Sequence, residues 1–189
     1  MTWEEESLSV PAKKKPSIFK RPTKEDAASQ YDYAEELLKD GHVKAAMKEF
    51  QAITHAWADS GQAAAAQFKF ARIMMERGAY KRAFREFQYL VEYYPGQFPY
   101  DKVLQAQFKI ANQIRTERWG DFLFLPGFSM AERSLPFYEQ IVENAPNWRR
   151  IPEVWLSIGL VREQMHEYQE AARAYEKVIY RDSERPLKE

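Results

Sequence analysis

The sequence predicts an all-α fold of about four stacked helical hairpins, a helical-hairpin solenoid with an insertion in the third hairpin. Three observations carry that expectation. A 37-residue period returns Gly41, Val43, Ala46, Phe50 and Ile53 as Gly78, Tyr80, Ala83, Phe87 and Leu90, and later Ser134, Tyr138 and Ile141 as Ala171, Tyr175 and Val178. Self-similarity at such a period marks repeat folds, in which each unit buries its apolar face only against its neighbours. Within each copy the apolar residues recur at spacings of three and four, as one buried helix face requires. Glycine- and proline-bearing turns such as Asp40-Gly41, Asp59-Ser60-Gly61 and Pro95-Gly96 punctuate the pattern where helices should end.

In chain order, residues 1–22 combine Glu4, Glu5 and Glu6, the basic run Lys13, Lys14 and Lys15, and Pro11, Pro16 and Pro22 without an apolar period. They read as a flexible linker, ahead of a repeat domain over 23–183 and a frayed terminus over 184–189. Thr23 followed by Asp26 predicts a helix start, since a threonine oxygen can accept from first-turn amides and an acid suits the positive helix end. That helix runs to about Lys39. After Gly41 a second helix carries Val43, Ala46, Phe50 and Ile53. The second hairpin restarts with Gln67, Phe70, Ala71 and Met74, turns at Gly78 and continues through Tyr80, Ala83, Phe87 and Leu90 to Pro95. Proline disfavours helical geometry in the residue before it, so the segment from Pro95 to Asp101 is a break.

The third hairpin opens with Phe108, Ile110, Ala111 and Ile114. Its partner helix is expected from roughly Ser129, where Ser129-Met130-Ala131-Glu132 offers a capping box. Ala111 to Ser134 spans 23 positions against 12 from Ala71 to Ala83, so 11 residues have been added, approximately GDFLFLPGFSM. Pro136 falls either in the first turn of that helix or inside it, where it would introduce a kink. The fourth hairpin follows Asn147, with Pro152 suited to a first turn, then Trp155, Ile158 and Gly159, a turn near His166, and Tyr168, Ala171, Tyr175 and Val178.

Lys plus Arg and Asp plus Glu each total 28, so no long-range field steers the chain onto nucleic acid. No stretch approaches the roughly 18 apolar residues of a membrane helix. The N-terminal MTWEEESLSV has neither the basic region nor the apolar core of a signal peptide. Without cysteine there is no disulfide, thiolate nucleophile or Cys-based zinc site. His42, His55 and His166 lack the companions that would converge on a metal, and acids such as Glu35 and Glu36 lack an apolar pocket that would tune one for proton transfer. The chain is therefore expected to be non-enzymatic, without cofactor or metal.

Trp155, the pair Ile158-Gly159, Tyr168, Ala171 and Tyr175 resemble the tetratricopeptide pattern, whose usual unit is about 34 residues. The longer unit, the phrase Tyr93-Tyr94-Pro95-Gly96-Gln97-Phe98, and an insertion with Trp119, Gly120, Phe122, Phe124 and Gly127 are similar to the BamD family over about residues 24–183. That family consists of tetratricopeptide lipoproteins of bacterial outer-membrane β-barrel assembly. The resemblance implies an envelope scaffold on the periplasmic face of the outer membrane, contacting a BamA-like assembly protein and unfolded outer-membrane proteins. The family's signal and lipidated cysteine do not occur in this sequence, and its members usually carry five repeats. Two alternatives stay open: a periplasmic tetratricopeptide factor of the CpoB type that coordinates envelope growth and division, and a cytoplasmic tetratricopeptide adaptor.

Two binding surfaces follow from the resemblance. In a tetratricopeptide array the first helix of each hairpin lines a groove, which places Tyr31, Glu35, Leu38, Phe68, Arg72, Met75, Phe108, Asn112, Arg115, Leu156, Leu160 and Glu163 there. A peptide could bury apolar side chains on Phe68, Met75 and Phe108 while Arg72 and Arg115 pair with its acids; equally, Phe68 and Phe108 could complete the core between repeats. Chaperone-tail receptors of this fold expect Lys and Asn at repeated groove positions, and Tyr31 with Glu35 and Phe68 with Arg72 do not fit them. The second surface is the insertion, where Trp119, Phe122, Phe124 and Phe128 crowd a short segment of the kind that marks interfaces.

Overall fold

The structure is a computed structural model that describes residues 21–116, 118–119, 128–129 and 131–183. Among the described residues eight α-helices form its framework: α1 Ala27–Lys39, α2 Val43–Ala56, α3 Ala63–Glu76, α4 Tyr80–Tyr93, α5 Tyr100–Thr116, α6 Leu135–Asn144, α7 Ile151–Gln164 and α8 Tyr168–Ser183. The fold is the expected all-α, tetratricopeptide-like succession of helical hairpins. The chain divides into two compact units, one ending at Val103 and one starting at Leu104.

In the first unit α1 packs on α2, α2 on α3 and α3 on α4. Phe50, Ile53, Phe70, Phe84, Phe87 and Leu90 are buried in its core. In the second unit α6 packs on α7 and α7 on α8, around Leu104, Ile110, Tyr138, Ile141, Val154 and Val161. The repeat register governs packing. Ala46, Ala83 and Ala171 occupy matching sites at 0, 0 and 3% exposure. Ala34, Ala71 and Ala111 are likewise fully enclosed, and Gly159 takes the same register in α7. In α7 a small residue is needed there because Tyr175 of α8 sends its ring towards it. A Cβ on Gly159 would come within 2.8 Å of Cζ of Tyr175, and closer still to Cδ1 and Cε1.

The hairpin turns are also repeated. Gly41 and Gly78 have φ of 79° and 77°, and His166, at the same repeat position, has φ of 61°. In each, two amides reach back over the helix end: His42 N to Leu37 O, Ala79 N to Met74 O and Glu167 N to Arg162 O at 2.8 to 2.9 Å, with Gly41, Gly78 and His166 bonding to Leu38, Met75 and Glu163. This is the Schellman closure, which satisfies helix-end carbonyls and requires a left-handed residue.

A third repeated feature is polar and buried. Gln30, Gln67 and Gln107 share one register, and all three are fully enclosed. Gln30 Nε2 donates to Glu49 Oε2 at 2.6 Å, while Gln67 Nε2 donates to Glu86 O and Oε2 at 2.9 and 2.7 Å. The Oε1 of Gln30 accepts from the amides of Thr23 and Lys24, both at 2.9 Å, tying the segment before α1 to the first hairpin.

Two helix starts differ from expectation. Asp26, not Thr23, caps α1: its extended backbone lets Oδ1 accept from the amides of Ala28 and Ser29, each at 2.9 Å. Thr23 is instead occupied with Gln30. The second helix of the third hairpin begins at Leu135 rather than near Ser129, because a 3-10 turn over Ala131–Ser134 precedes it. Pro136 consequently lies in the first helical turn, where a missing amide costs no hydrogen bond and no kink arises. The added segment is bracketed by a two-residue antiparallel pairing, Arg118 opposite Ser129 and Trp119 opposite Phe128.

Candidate functional site

The groove row of the first unit is largely satisfied from within. Tyr31 is half-buried and meets Phe50 edge-on with ring centroids 5.4 Å apart; Phe68 meets Phe87 in the same way at 5.9 Å. Each ring therefore belongs partly to the hairpin core. Burial, and then the Glu35 carboxylate, push the Tyr31 phenol up to about 12. Glu35 itself is held by Lys69, whose Nζ lies 2.9 and 3.0 Å from its two oxygens. Arg72 is exposed and pairs with Glu76 one helical turn on, at 3.1 Å. Met75 is half-buried. This row presents paired charges and partly covered rings.

The second unit differs. Phe108 is buried at 5% exposure, edge-on to Tyr138 and Trp148 with the Arg150 guanidinium 5.0 Å from its ring centroid, so it is a core residue rather than a groove surface. One turn further along α5, Asn112 Oδ1 accepts from the Tyr138 hydroxyl at 2.8 Å. Burial raises the Tyr138 pKa, while Arg115 and Ser157 beside the hydroxyl oppose that rise. Tyr138 thus joins α5 to α7 through its phenol, a role its counterparts Phe50 and Phe87 cannot fill. Arg115 is half-buried, and its Nε is enclosed without a hydrogen-bond partner. Among the described residues, no carboxylate forms an ion pair with Arg115.

On α7, Ile151, Val154, Ile158 and Val161 are buried, yet Leu156 and Leu160, one turn apart on another face, are 46% and 38% exposed. Their counterparts in the first unit are Tyr31 and Phe68, and Glu35 and Arg72. The fourth repeat therefore turns an apolar pair outward where the first two carry charge. Glu163, at the end of the row, accepts from the Tyr175 hydroxyl at 2.8 Å.

Of the insertion residues, Trp119 and Phe128 are placed by their backbone pairing, while Phe122 and Phe124 lie outside the described residues. Among the described residues no cluster of His, Asp and Glu suits a metal, and no helix is long and apolar enough to cross a membrane. The contributions of Tyr138 and Ser157 to the site were not anticipated from the sequence. The hydroxyl-bearing ring at a position held by phenylalanine in the first two repeats was the available signal.

No protein-family model matches the chain, and no curated protein matches it in sequence. Among solved structures it is similar to a crystal structure of MamA, at 11% identity and a TM-score of 0.47, covering 84% of this chain and 79% of that one. It is also similar to MamA from Desulfovibrio magneticus RS-1, residues 41 to the end, at 18% identity and a TM-score of 0.43, covering 85% of this chain and 78% of that one.

Proposed function

We propose that this chain is a non-enzymatic scaffold that holds segments of other proteins, and that it serves the bacterial cell envelope in a manner similar to BamD. The observation that carries the binding role is the outward-facing Leu156 and Leu160 on a helix whose opposite face is already buried. Leucines kept in water gain about 25 cal/mol per Å² when a partner covers them. The envelope role rests on the resemblance of the repeat phrase from Tyr93 to Phe98 and of the aromatic insertion. On that reading the partners are a BamA-like assembly protein and unfolded outer-membrane proteins at the periplasmic face of the outer membrane. Trp119, Phe122, Phe124 and Phe128 provide a second contact.

The test is crosslinked capture from bacterial envelope and cytosolic fractions with the intact chain, with the Leu156→Ser/Leu160→Ser variant, and with Phe122→Ser/Phe124→Ser. Capture of a BamA-like protein that falls in either variant supports the proposal. Capture confined to cytosolic proteins sinks the envelope assignment, and undiminished capture by the first variant removes α7 from the interface.

A further inference from the structure

The second helices of the first two hairpins carry a charge pattern that the groove row does not use. We infer that Lys44 and Lys48 of α2, with Lys81 and Arg82 of α4, form a basic face that rests on an anionic lipid bilayer through its headgroup phosphates. The inference goes beyond the protein-binding reading and depends on none of the groove residues.

The argument begins with what α2 and α4 leave in water. The exposed residues of α2 are Lys44, Ala45 and Lys48, and those of α4 are Lys81, Arg82 and Glu92. Lys44 and Lys81 share one repeat register, and Arg85, half-buried, stands at the register of Lys48. Successive hairpins of one compact unit present equivalent registers on the same side, so these cations share a face. Glu92 stands three turns along α4 from Lys81, roughly 16 Å at 1.5 Å per residue. Among the described residues, none of the four cations has an ion pair with a carboxylate.

Their position makes these cations costly. Lys44 stands in the first turn of α2, Lys81 and Arg82 stand in the first turn of α4, and neither turn holds an acid. The partial positive charge at a helix start favours acids and opposes cations. Three other helices follow that preference: α5 with Asp101, α7 with Glu153 and α8 with Glu170. Glu170 takes in α8 the register that Arg82 takes in α4. The first two hairpins thus keep unpaired cations where folding alone selects against them, and a layer of phosphates relieves that repulsion.

A bilayer fits this face better than other polyanions. No exposed residue of α2 or α4 is aromatic, so these helices offer no platform on which bases could stack. Three of the four cations are lysines, point charges without the fork that reads a carboxylate or a base edge. The chain as a whole is neutral, which leaves no far field to gather a polyelectrolyte. A charged bilayer needs none, because its attraction acts within the Debye length, about 8 Å at physiological salt.

The experiment is cosedimentation of the full chain with vesicles of phosphatidylcholine alone and of equal parts phosphatidylcholine and phosphatidylglycerol. Binding to the anionic vesicles alone, weakening as salt is raised, is the expected result. The Lys44→Gln/Lys48→Gln/Lys81→Gln/Arg82→Gln variant should bind more weakly by more than about tenfold, and the pair of changes on either helix should give part of that loss. This variant should melt no lower than the parent chain, since it relieves repulsion at two helix starts. Lys13→Gln/Lys14→Gln/Lys15→Gln separates the face from the other basic run of the sequence and should retain most of the binding. Absence of binding to anionic vesicles overturns the inference. So does undiminished binding by the four-residue variant, or a loss confined to the Lys13 to Lys15 variant. Tighter binding of RNA or polyglutamate than of the vesicles, lost in the four-residue variant, assigns the face to that partner and also overturns it.

Discussion

Replacing Gly159 with Ala is the sharpest test of the packing described here, because two effects of opposite sign meet at one atom. In a helix interior the exchange is normally stabilising, by about 1 kcal/mol, since Gly carries a larger entropic penalty than Ala. At this position the added Cβ would lie 2.8 Å from Cζ of Tyr175 and nearer to two other ring atoms. The ring cannot remain there. If Tyr175 swings outward it gives up its place on α7 and its hydrogen bond to Glu163. Otherwise α7 and α8 separate. Overpacking of this kind costs about 1 to 3 kcal/mol, and a lost hydrogen bond about 1 kcal/mol. The expected balance is a net destabilisation of roughly 1 to 3 kcal/mol. Urea denaturation followed by far-ultraviolet circular dichroism reads the loss as a lower midpoint. A second background makes the test decisive: with Tyr175→Ala already in place, Gly159→Ala should become stabilising, by about 1 kcal/mol. A gain in stability from Gly159→Ala alone, or the same loss in both backgrounds, would refute the reasoning.

Other consequences can be checked by similar means. His166 holds a left-handed backbone where the first two hairpins use glycine, so His166→Gly should raise stability by about 1 kcal/mol, less whatever the His166 to Tyr168 contact at 3.0 Å contributes; an unchanged or lower midpoint counts against strain at this turn. Gln30→Leu leaves the enclosed Glu49 without its 2.6 Å donor and releases the amides of Thr23 and Lys24. A loss of about 2 to 3 kcal/mol is expected in urea, with hydrogen exchange accelerated at Thr23 and Lys24. For Asp26, bonds from the Ser29 backbone, the Ser29 hydroxyl and the Ala28 backbone hold the carboxyl below its ordinary 3.8. A depressed folded-state pKa contributes stability above the unfolded value and loses it as pH falls through the folded one. Asp26→Ala should accordingly be less stable at neutral pH, and the gap should close below about pH 3.8. A gap independent of pH would mean that the cap acts otherwise.

Much of the fold was legible in the sequence because the repeat constrains the same few positions again and again. Ala46, Ala83 and Ala171 could be equated before any coordinates, and Gly41 and Gly78 marked their turns through a backbone geometry glycine adopts at little cost. Histidine advertises no left-handed conformation, so the φ of 61° at His166 is not visible in the sequence even where a turn is expected. The start of α1 was misplaced because Thr23 and Asp26 are both good caps; the choice depends on Gln30, which claims the Thr23 amide. The start of α6 was misplaced because a capping-box pattern does not distinguish a 3-10 turn from the first turn of an α-helix. Register fixes the face of a groove residue but not its exposure. Phe108 and Leu156 share one position, yet Phe108 is enclosed by Tyr138 and Trp148 while Leu156 faces solvent. Burial depends on neighbours brought in from other helices, which no single stretch of sequence displays.

The enclosed glutamine register also bears on how the hairpins find their alignment. Apolar helix faces tolerate sliding, because one methyl group replaces another with little penalty, whereas the bonds from Gln30 to Glu49 and from Gln67 to Glu86 exist at a single offset. A slip by one turn would strand a carboxylate against carbon, so these pairs act as index pins for the first two hairpins. The fourth hairpin has Trp155 and Ala174 at the corresponding places and no pin. Its alignment depends on the notch at Gly159 receiving the Tyr175 ring, a lock of shape that a single methyl group can jam.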